Sequence, residues 1–146
     1  MTSVVSTLHT GFTVADVRRL AAFFRECLGF EVTEPRSPPS ETLSRIIGVQ
    51  AAAADVVYVN APGHVIELLQ YYSPVSGTAN APRPCDIGFA HLSFLVENGA
   101  SVADAAARFG FVAETAMPTI QHGPHAGRRA TYLRDSHGFS IELMGG

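Results

Sequence analysis

Charged residues are scarce in this 146-residue sequence. Asp, Glu, Lys and Arg make up 16% of the chain, against roughly 25% in an average soluble domain. A hydrophobic share of 47% excludes a disordered chain, because it is sufficient to build a core. The low charge leaves an unusually apolar surface. We therefore expect a second copy of the chain to cover part of that surface in a homodimer.

Basic clusters and long hydrophobic runs are also missing. The chain has 10 Lys and Arg against 13 Asp and Glu, and no run of basic residues, which argues against a nucleic-acid partner. No hydrophobic stretch reaches the roughly 18 residues of a membrane span, since Asp55 interrupts the richest one, Ala51–Val59. Residues 1–7 contain no Lys or Arg before an apolar run. We therefore expect neither a secretory signal nor a membrane partner.

Cysteine is limited to Cys27 and Cys85. Their number and spacing fit neither a disulfide framework nor a CxxC metal motif. We therefore expect reduced thiols in a cytoplasmic protein. The length of the chain allows one domain, or two small modules that share a core.

The chain contains an internal repeat. Three blocks recur in the same order with similar spacing: residues 9–14 and 91–96, 29–30 and 110–111, and 63–68 and 138–143. The shared residues are His, Phe and Val in the first block, Gly-Phe in the second, and Gly followed by Ile-Glu-Leu in the third. Such agreement from end to end indicates two copies of one structural unit.

Each copy begins with a strand and a helix. Residues 8–14 alternate as in a strand, with Leu8, Thr10, Phe12 and Val14 on the face that a helix should cover. The helix follows at the 3.6-residue period over 17–28, with Asp16 as its N-cap and Gly29 after its end. In the second copy we expect Ser101 to cap the helix and Gly110 to follow it.

Each copy ends in a predicted hairpin, because strand-like segments flank turn residues at 61–64 and 135–138. With one strand more after each Gly-Phe, the sequence predicts an α+β fold of two tandem βαβββ modules in a single domain over 1–146. The first module spans about 5–72, a linker spans 73–85, and the second module spans about 86–146. The long segment Glu34–Gln50, in which we expect a short helix over Ser40–Ile47, is typical of a loop that lies over a site.

Four residues at repeated positions have side chains that could bind a metal ion or take part in catalysis. His9 and His91 begin the first strand of each copy, and Glu67 and Glu142 lie inside the last strand. Alone, each has an ordinary structural explanation as a surface residue or an edge marker. As a set, carboxylates within apolar strands need partners. Two imidazoles and two carboxylates suit a divalent ion such as Zn, Ni, Co, Mn or Fe.

The segments His9–Val14, Phe23–Phe30 and Tyr132–Met144 resemble the vicinal oxygen chelate (glyoxalase/bleomycin resistance/dioxygenase) superfamily. The resemblance covers nearly the whole chain. It implies paired βαβββ modules whose sheets curl around a metal ion, with His9, Glu67, His91 and Glu142 at the ligand positions. Members with unrelated reactions share these motifs, so the activity does not follow from the fold.

The ligand pattern is most similar to the branch of glyoxalase I and, with a departure at Glu67 where Gln is common, of methylmalonyl-CoA epimerase. This resemblance implies a metal-dependent lyase or isomerase that abstracts a proton next to a carbonyl of a small oxygenated or thioester substrate. Glu142 would be the base, and Glu67 would return the proton. Two alternatives stay open: an Fe(II) extradiol-type dioxygenase, and a non-catalytic module that sequesters a small molecule such as an antibiotic. Whether the metal site forms within one chain or between two also stays open.

One loop of the second copy carries weaker signals. His122 and His125 have the spacing of a metal motif but lack a helix and further ligands, so they are a poor second metal site. Arg128 and Arg129 suit a carboxylate or phosphate group. An exposed pair of arginines before a strand is more often simply solvated.

Overall fold

The structure is a computed structural model that describes residues 3–75 and 81–145. The chain divides into two compact units, Met1–Gly77 and Thr78–Gly146, called module 1 and module 2 below. Residues 76–80 of the linker expected over 73–85 lie outside the described residues, and its first residue, Ser73, ends a strand. Within the described ranges, no helix has both the length and the apolar character needed to span a membrane.

Both modules have the order βαβββ, and module 1 has one additional helix. Module 1 consists of β1 (Thr10–Thr13), α1 (Val17–Ala22, followed by a π-helical turn over Phe23–Cys27), β2 (Glu31–Val32), α2 (Ser40–Ile47), β3 (Ala53–Ala61) and β4 (His64–Ser73). Module 2 consists of β5 (Leu92–Val96), α3 (Gly99–Ala106, followed by a 3-10 turn over Ala107–Phe109), β6 (Phe111–Ala113), β7 (Arg129–Asp135) and β8 (Ser140–Gly145). The predicted α+β fold is confirmed, and so is the helix expected over Ser40–Ile47.

Each module has one four-stranded sheet, and the two sheets have matching strand orders. The orders are β1-β4-β3-β2 in module 1 and β5-β8-β7-β6 in module 2. The first strand of each module runs parallel to the last, whereas the two hairpin strands are antiparallel. The last strand of each module, which carries the predicted glutamate, therefore lies between the first strand and its hairpin partner.

One face of each sheet is buried, and the other face is only partly covered. In module 1 the buried face contains Val57, Val59, Ile66 and Leu68, which are fully buried, as are Val17, Leu20 and Phe24 of the covering helix segment. Because side chains alternate along a strand, the opposite face of β3 and β4 bears Val56, Tyr58, Glu67 and Leu69. In module 2 the matching face of β7 and β8 bears Ala130, Tyr132, Glu142 and Met144. These two sets are the open faces of the modules.

Two details of the predicted strand and helix starts are wrong. Asn98, rather than Ser101, caps α3: its side-chain oxygen accepts the backbone N–H of Ser101 at 3.0 Å. Asn caps a helix as well as Ser does, so the helix begins two residues before the expected cap. Leu8 is 75% exposed instead of covered, because β1 begins only at Thr10. The predicted cap of α1 is confirmed, since the Asp16 carboxylate accepts the N–H of Arg19 at 2.9 Å.

Candidate functional site

The four predicted ligands form two similar pairs, one in each module. His9 Nε2 lies 3.1 Å from Glu67 Oε2, and His91 Nε2 lies 3.5 Å from Glu142 Oε2. Each histidine directly precedes the first strand, and each glutamate lies on the neighbouring parallel strand. The glutamate side chains are 17% and 20% exposed. Both pairs therefore remain accessible to a small ligand.

The donor atoms of each pair fit a divalent cation. A neutral imidazole nitrogen and a carboxylate oxygen that lie close together are ordinary ligands of first-row metal ions. Each pair supplies two protein ligands. Among residues 3–75 and 81–145 the structure assembles no group of three or more His, Cys, Asp or Glu side chains that could hold an ion. The four-residue ligand set therefore stays a prediction, while its two halves are present.

Tyr58 completes the pair in module 1. It lies directly opposite Glu67 in the β3–β4 hairpin, and its hydroxyl donates a hydrogen bond to Glu67 Oε1 at 2.7 Å. This bond to a carboxylate, together with partial burial, raises the pKa of Tyr58. The Tyr58 ring also meets the His9 ring edge-on, with centroids 6.0 Å apart. Tyr58 thus stays protonated and restrains both metal-ligand candidates of its module.

Tyr132 holds the matching position in module 2 but makes different contacts. It lies opposite Glu142, and its ring meets the His91 ring edge-on with centroids 4.9 Å apart. Phe89 packs near both rings, at 5.6 Å from His91 and 5.8 Å from Tyr132. Burial, followed by the charge of Glu142, raises the pKa of Tyr132. In the described part of the chain, Glu142 lies close to His91 and accepts no hydrogen bond from Tyr132.

Sequence reasoning missed both tyrosines. The cause is the hairpin turn, which is one residue longer between Tyr132 and Glu142 than between Tyr58 and Glu67. The residue offset from Glu67 to Glu142, when it is applied to Tyr58, therefore leads to Leu133 instead of Tyr132. Counting cross-strand partners from each glutamate would have revealed the tyrosines, but that count requires the register.

The first strand of module 1 leaves space beside Glu67. Gly11 is the β1 partner of Glu67, and a Cβ added to Gly11 would lie 3.3 Å from Glu67 Oε2. Ser93 is the corresponding partner of Glu142. The absence of a side chain at Gly11 thus keeps β1 from crowding the carboxylate oxygen that faces His9.

Module 1 also contains a cavity of about 580 Å³ between α2 and the open face. Its walls are formed by three groups of residues: Thr33, Arg36 and Pro38 before the helix, Thr42, Leu43, Ile46 and Ile47 on the helix, and Val56, Tyr58, Glu67 and Leu69 on the sheet. The insertion that was expected to lie over a site therefore covers the open face beside Glu67.

The weaker candidates lie in the loop before β7 or at its start. Arg129 Nε donates to the carbonyl of Met117 at 2.9 Å, and its Nη2 donates to that of Ala116 at 3.2 Å. Arg129 thus holds the loop to the strand instead of being simply solvated, and its use as an anion-binding residue stays a weak prediction. Arg128 is half-buried at the loop end. His122 and His125 are exposed, and no described His, Cys, Asp or Glu joins them in a group of three.

Comparison with known proteins identifies the family. A sequence model of the Glyoxalase/Bleomycin resistance protein/Dioxygenase superfamily matches residues 6–143. No curated protein matches the chain significantly. The chain is similar to solved structures at identities that establish the fold alone.

Three of these structures illustrate the likeness. A glyoxalase family protein from Bacillus cereus has 17% identity and a TM-score of 0.82, covering 99% of this chain and 95% of that one. A glyoxylase/bleomycin resistance protein/dioxygenase domain from Frankia sp. has 19% identity and a TM-score of 0.65, with coverages of 99% and 93%. The fosfomycin resistance protein FosX from Listeria monocytogenes, in complex with Mn(II) and sulfate, has 15% identity and a TM-score of 0.61, with coverages of 99% and 94%. Since the superfamily match spans nearly the whole chain, this protein belongs to the glyoxalase/bleomycin resistance/dioxygenase (vicinal oxygen chelate) superfamily.

Proposed function

We propose that this protein is a metal-dependent lyase or isomerase that moves a proton next to a carbonyl in a small oxygenated or thioester substrate. The observation that carries the proposal is the repeated His–Glu pair with a tyrosine opposite the glutamate, present on the open face of each module. A duplicated fold needs only its core residues to recur. Partly exposed His and Glu add nothing to that core, so their recurrence supports a chemical role.

His9, Glu67, His91 and Glu142 are the proposed ligands of one divalent ion per set. The two pairs would come from one chain or from two copies in a homodimer. Zn, Ni, Co, Mn and Fe all accept imidazole and carboxylate ligands. When bound, the ion would supply Lewis-acid polarisation of the substrate carbonyl.

Glu142 is the proposed base. Its Oε2 faces His91 at 3.5 Å, and among the described residues no tyrosine hydroxyl occupies its other oxygen. Oε1 is therefore available to take the proton from the carbon beside the carbonyl. Glu67 is proposed to take a proton from solvent on Oε2 and return it to the neighbouring carbon, since the Tyr58 hydroxyl already occupies Oε1. One proton leaves one carbon and one arrives at the next, as an isomerisation requires.

Elemental analysis of protein purified without a metal-chelating tag tests the ligand assignment. We expect stoichiometric metal in the unsubstituted protein and its loss in the His9→Ala/His91→Ala double variant. The matched control is His122→Ala/His125→Ala, which removes two exposed histidines and should retain the metal. Full metal content in the His9/His91 variant would contradict the assignment.

Incubation of the metal-loaded protein with candidate substrates in deuterated water tests the reaction. We expect solvent deuterium at the carbon next to the carbonyl of a 2-oxo-hemithioacetal or of a 2-methyl-branched acyl-CoA. Catechols and fosfomycin serve as the comparison substrates, the latter because FosX proteins are among the structural neighbours. Oxygen uptake with a catechol would favour the dioxygenase alternative and refute ours. Opening of the fosfomycin epoxide, or tight binding without exchange in every case, would refute it as well.

A further inference from the structure

We propose that the substrate carries an apolar group, at least as large as a phenyl ring, that occupies the cavity between α2 and the open face of module 1. The inference rests on the proposed function, because it places the reacting end of the substrate at Glu67. It adds a property that the His–Glu pairs do not determine, namely the chemical character of the rest of the substrate.

The chemistry of the cavity walls supports an apolar occupant. Five of the lining residues are aliphatic, with three on the helix and two on the sheet: Leu43, Ile46, Ile47, Val56 and Leu69. Tyr58 and Glu67 form the cross-strand pair next to Val56 and Leu69, one step nearer the hairpin turn. The cavity thus joins an aliphatic chamber to the carboxylate and the tyrosine hydroxyl. A substrate with an oxygenated end and an apolar end matches this arrangement.

The cavity is held open by fixed contacts on both sides of α2. Leu43 is 7% exposed and packs in a cluster with Ala52 and Ala54, while the Ser44 hydroxyl accepts the N–H of Ala52 at 2.9 Å. Before the helix, Arg36 exchanges two backbone hydrogen bonds with Val56, at 3.0 and 2.8 Å. A preformed cavity of about 580 Å³ lies within the range of roughly 300–1,000 Å³ that small-molecule sites occupy.

Ile46 is an exposed aliphatic residue in the wall of the cavity. It lines the cavity and yet is 77% exposed, so it contributes little to the core. Contact with an apolar group of a ligand would remove that aliphatic surface from water, which is favourable. A small, fully polar substrate would leave Ile46 and the aliphatic walls in water.

Isothermal titration with pyruvate and phenylpyruvate tests the inference, because the two 2-oxo acids differ only by a phenyl group. We expect the metal-loaded protein to bind phenylpyruvate at least about 30-fold more tightly, the gain from burying one ring. Ile46→Asn makes the cavity more polar and Thr42→Phe makes it smaller, and each should reduce this ratio severalfold. Both positions lie on α2 outside the core, and Ile87→Asn, at a fully exposed residue of module 2, is the matched control.

Three results would overturn the inference: equal affinity for both acids, no binding of phenylpyruvate at millimolar concentration, or a ratio that neither cavity variant changes. A change of oligomeric state in Ile46→Asn would also overturn it, because α2 would then be covered by a second copy of the chain. Failure of the proposed function has a separate signature, the absence of bound metal or of deuterium exchange.

Discussion

The two modules present the same three residues, His, Glu and Tyr, but surround them differently. In module 1 the Tyr58 hydroxyl holds one oxygen of Glu67, and Gly11 places no side chain beside the other oxygen, which faces His9. In module 2 the rings of Tyr132 and Phe89 pack at His91, and the histidine is the restrained member. The fold thus sets the positions of the three residues in each module. The neighbouring side chains determine whether the glutamate or the histidine of the pair is restrained.

The modules also differ between their second and third strands. Module 1 inserts α2, which covers the open face and creates the cavity. Module 2 has a loop over residues 114–128, which Arg129 ties to β7 through two carbonyls. Under our proposals the two copies would have separate tasks: module 1 would recognise the substrate, and module 2 would supply the less restrained carboxylate.

Removing each carboxylate in turn should give the largest difference between the modules. We expect Glu142→Gln to lower the rate of deuterium exchange by roughly 10²–10⁴, the usual contribution of a general base. Glu67→Gln should have a smaller effect, because water can deliver the returning proton. Exchange rates at saturating metal, with the bound metal measured in parallel, provide the check. Equal losses in both variants would contradict the division of tasks.

Removing each tyrosine hydroxyl should give the next largest difference. Tyr58→Phe deletes a 2.7 Å hydrogen bond to Glu67, and loss of such support to a metal ligand lowers metal affinity by about 10-fold or more. Tyr132→Phe deletes no hydrogen bond to Glu142 and should leave the affinity nearly unchanged. Metal titrations of both variants test this expectation, and urea unfolding serves as the control for folding. If Tyr132→Phe has the larger effect, the comparison is wrong.

Changing the neighbouring first-strand position should have a smaller effect. In Gly11→Ala the new Cβ would lie 3.3 Å from Glu67 Oε2, and the carboxylate must shift while Tyr58 holds its other oxygen. We expect a severalfold loss of metal affinity without a loss in the free energy of unfolding, because Ala restricts the unfolded chain more than Gly does. Ser93→Ala is the matched change in module 2 and should leave the metal affinity intact. Unaltered affinity in Gly11→Ala would show that the space beside Glu67 has no function.

The smallest effect concerns acid stability in module 1. Hydrogen bonds from the Ser37 and Tyr72 hydroxyls lower the pKa of Asp55 below its ordinary value of 3.8. The charged form is therefore favoured by folding, and its contribution to stability is present above pH 3.8 and is lost as the pH falls through the lowered pKa. Asp55→Asn should reduce the urea midpoint at pH 7, and the difference from the unsubstituted protein should shrink towards pH 3. A difference that grows on acidification would contradict this sign.

Much of the fold was predictable, because local patterns specify it. The alternation in residues 8–14 predicted the first strand, and Asp16 and Gly29 bracket the helix segment that follows it. The helix expected over residues 40–47 is also present, and Gly48 ends it with a positive φ of 73°. These signals act over a few residues, and tertiary contacts did not override them.

The parts of the site that escaped prediction depend on contacts between distant residues. Tyr58 lies opposite Glu67 because of the register of the β3–β4 hairpin. The cavity depends on the position of α2, where Leu43 packs on Ala52 and Ala54. Neither feature leaves a periodic pattern in the sequence. The resemblance to a family indicated His9, Glu67, His91 and Glu142, and the structure shows their pairing within each module. The joint binding of one metal ion stays a prediction.

The difference in turn length bears on how the two copies diverged. Pro62 and Gly63 alone connect β3 to β4, whereas the turn after Asp135 is longer. Because the longer turn accommodates its extra residue outside the paired strands, removal of that residue would shorten the turn to the length found in module 1 and leave Tyr132 opposite Glu142. Insertion or deletion of a single codon in this turn therefore changes the sequence spacing of the repeat and keeps a phenol beside the carboxylate in both copies.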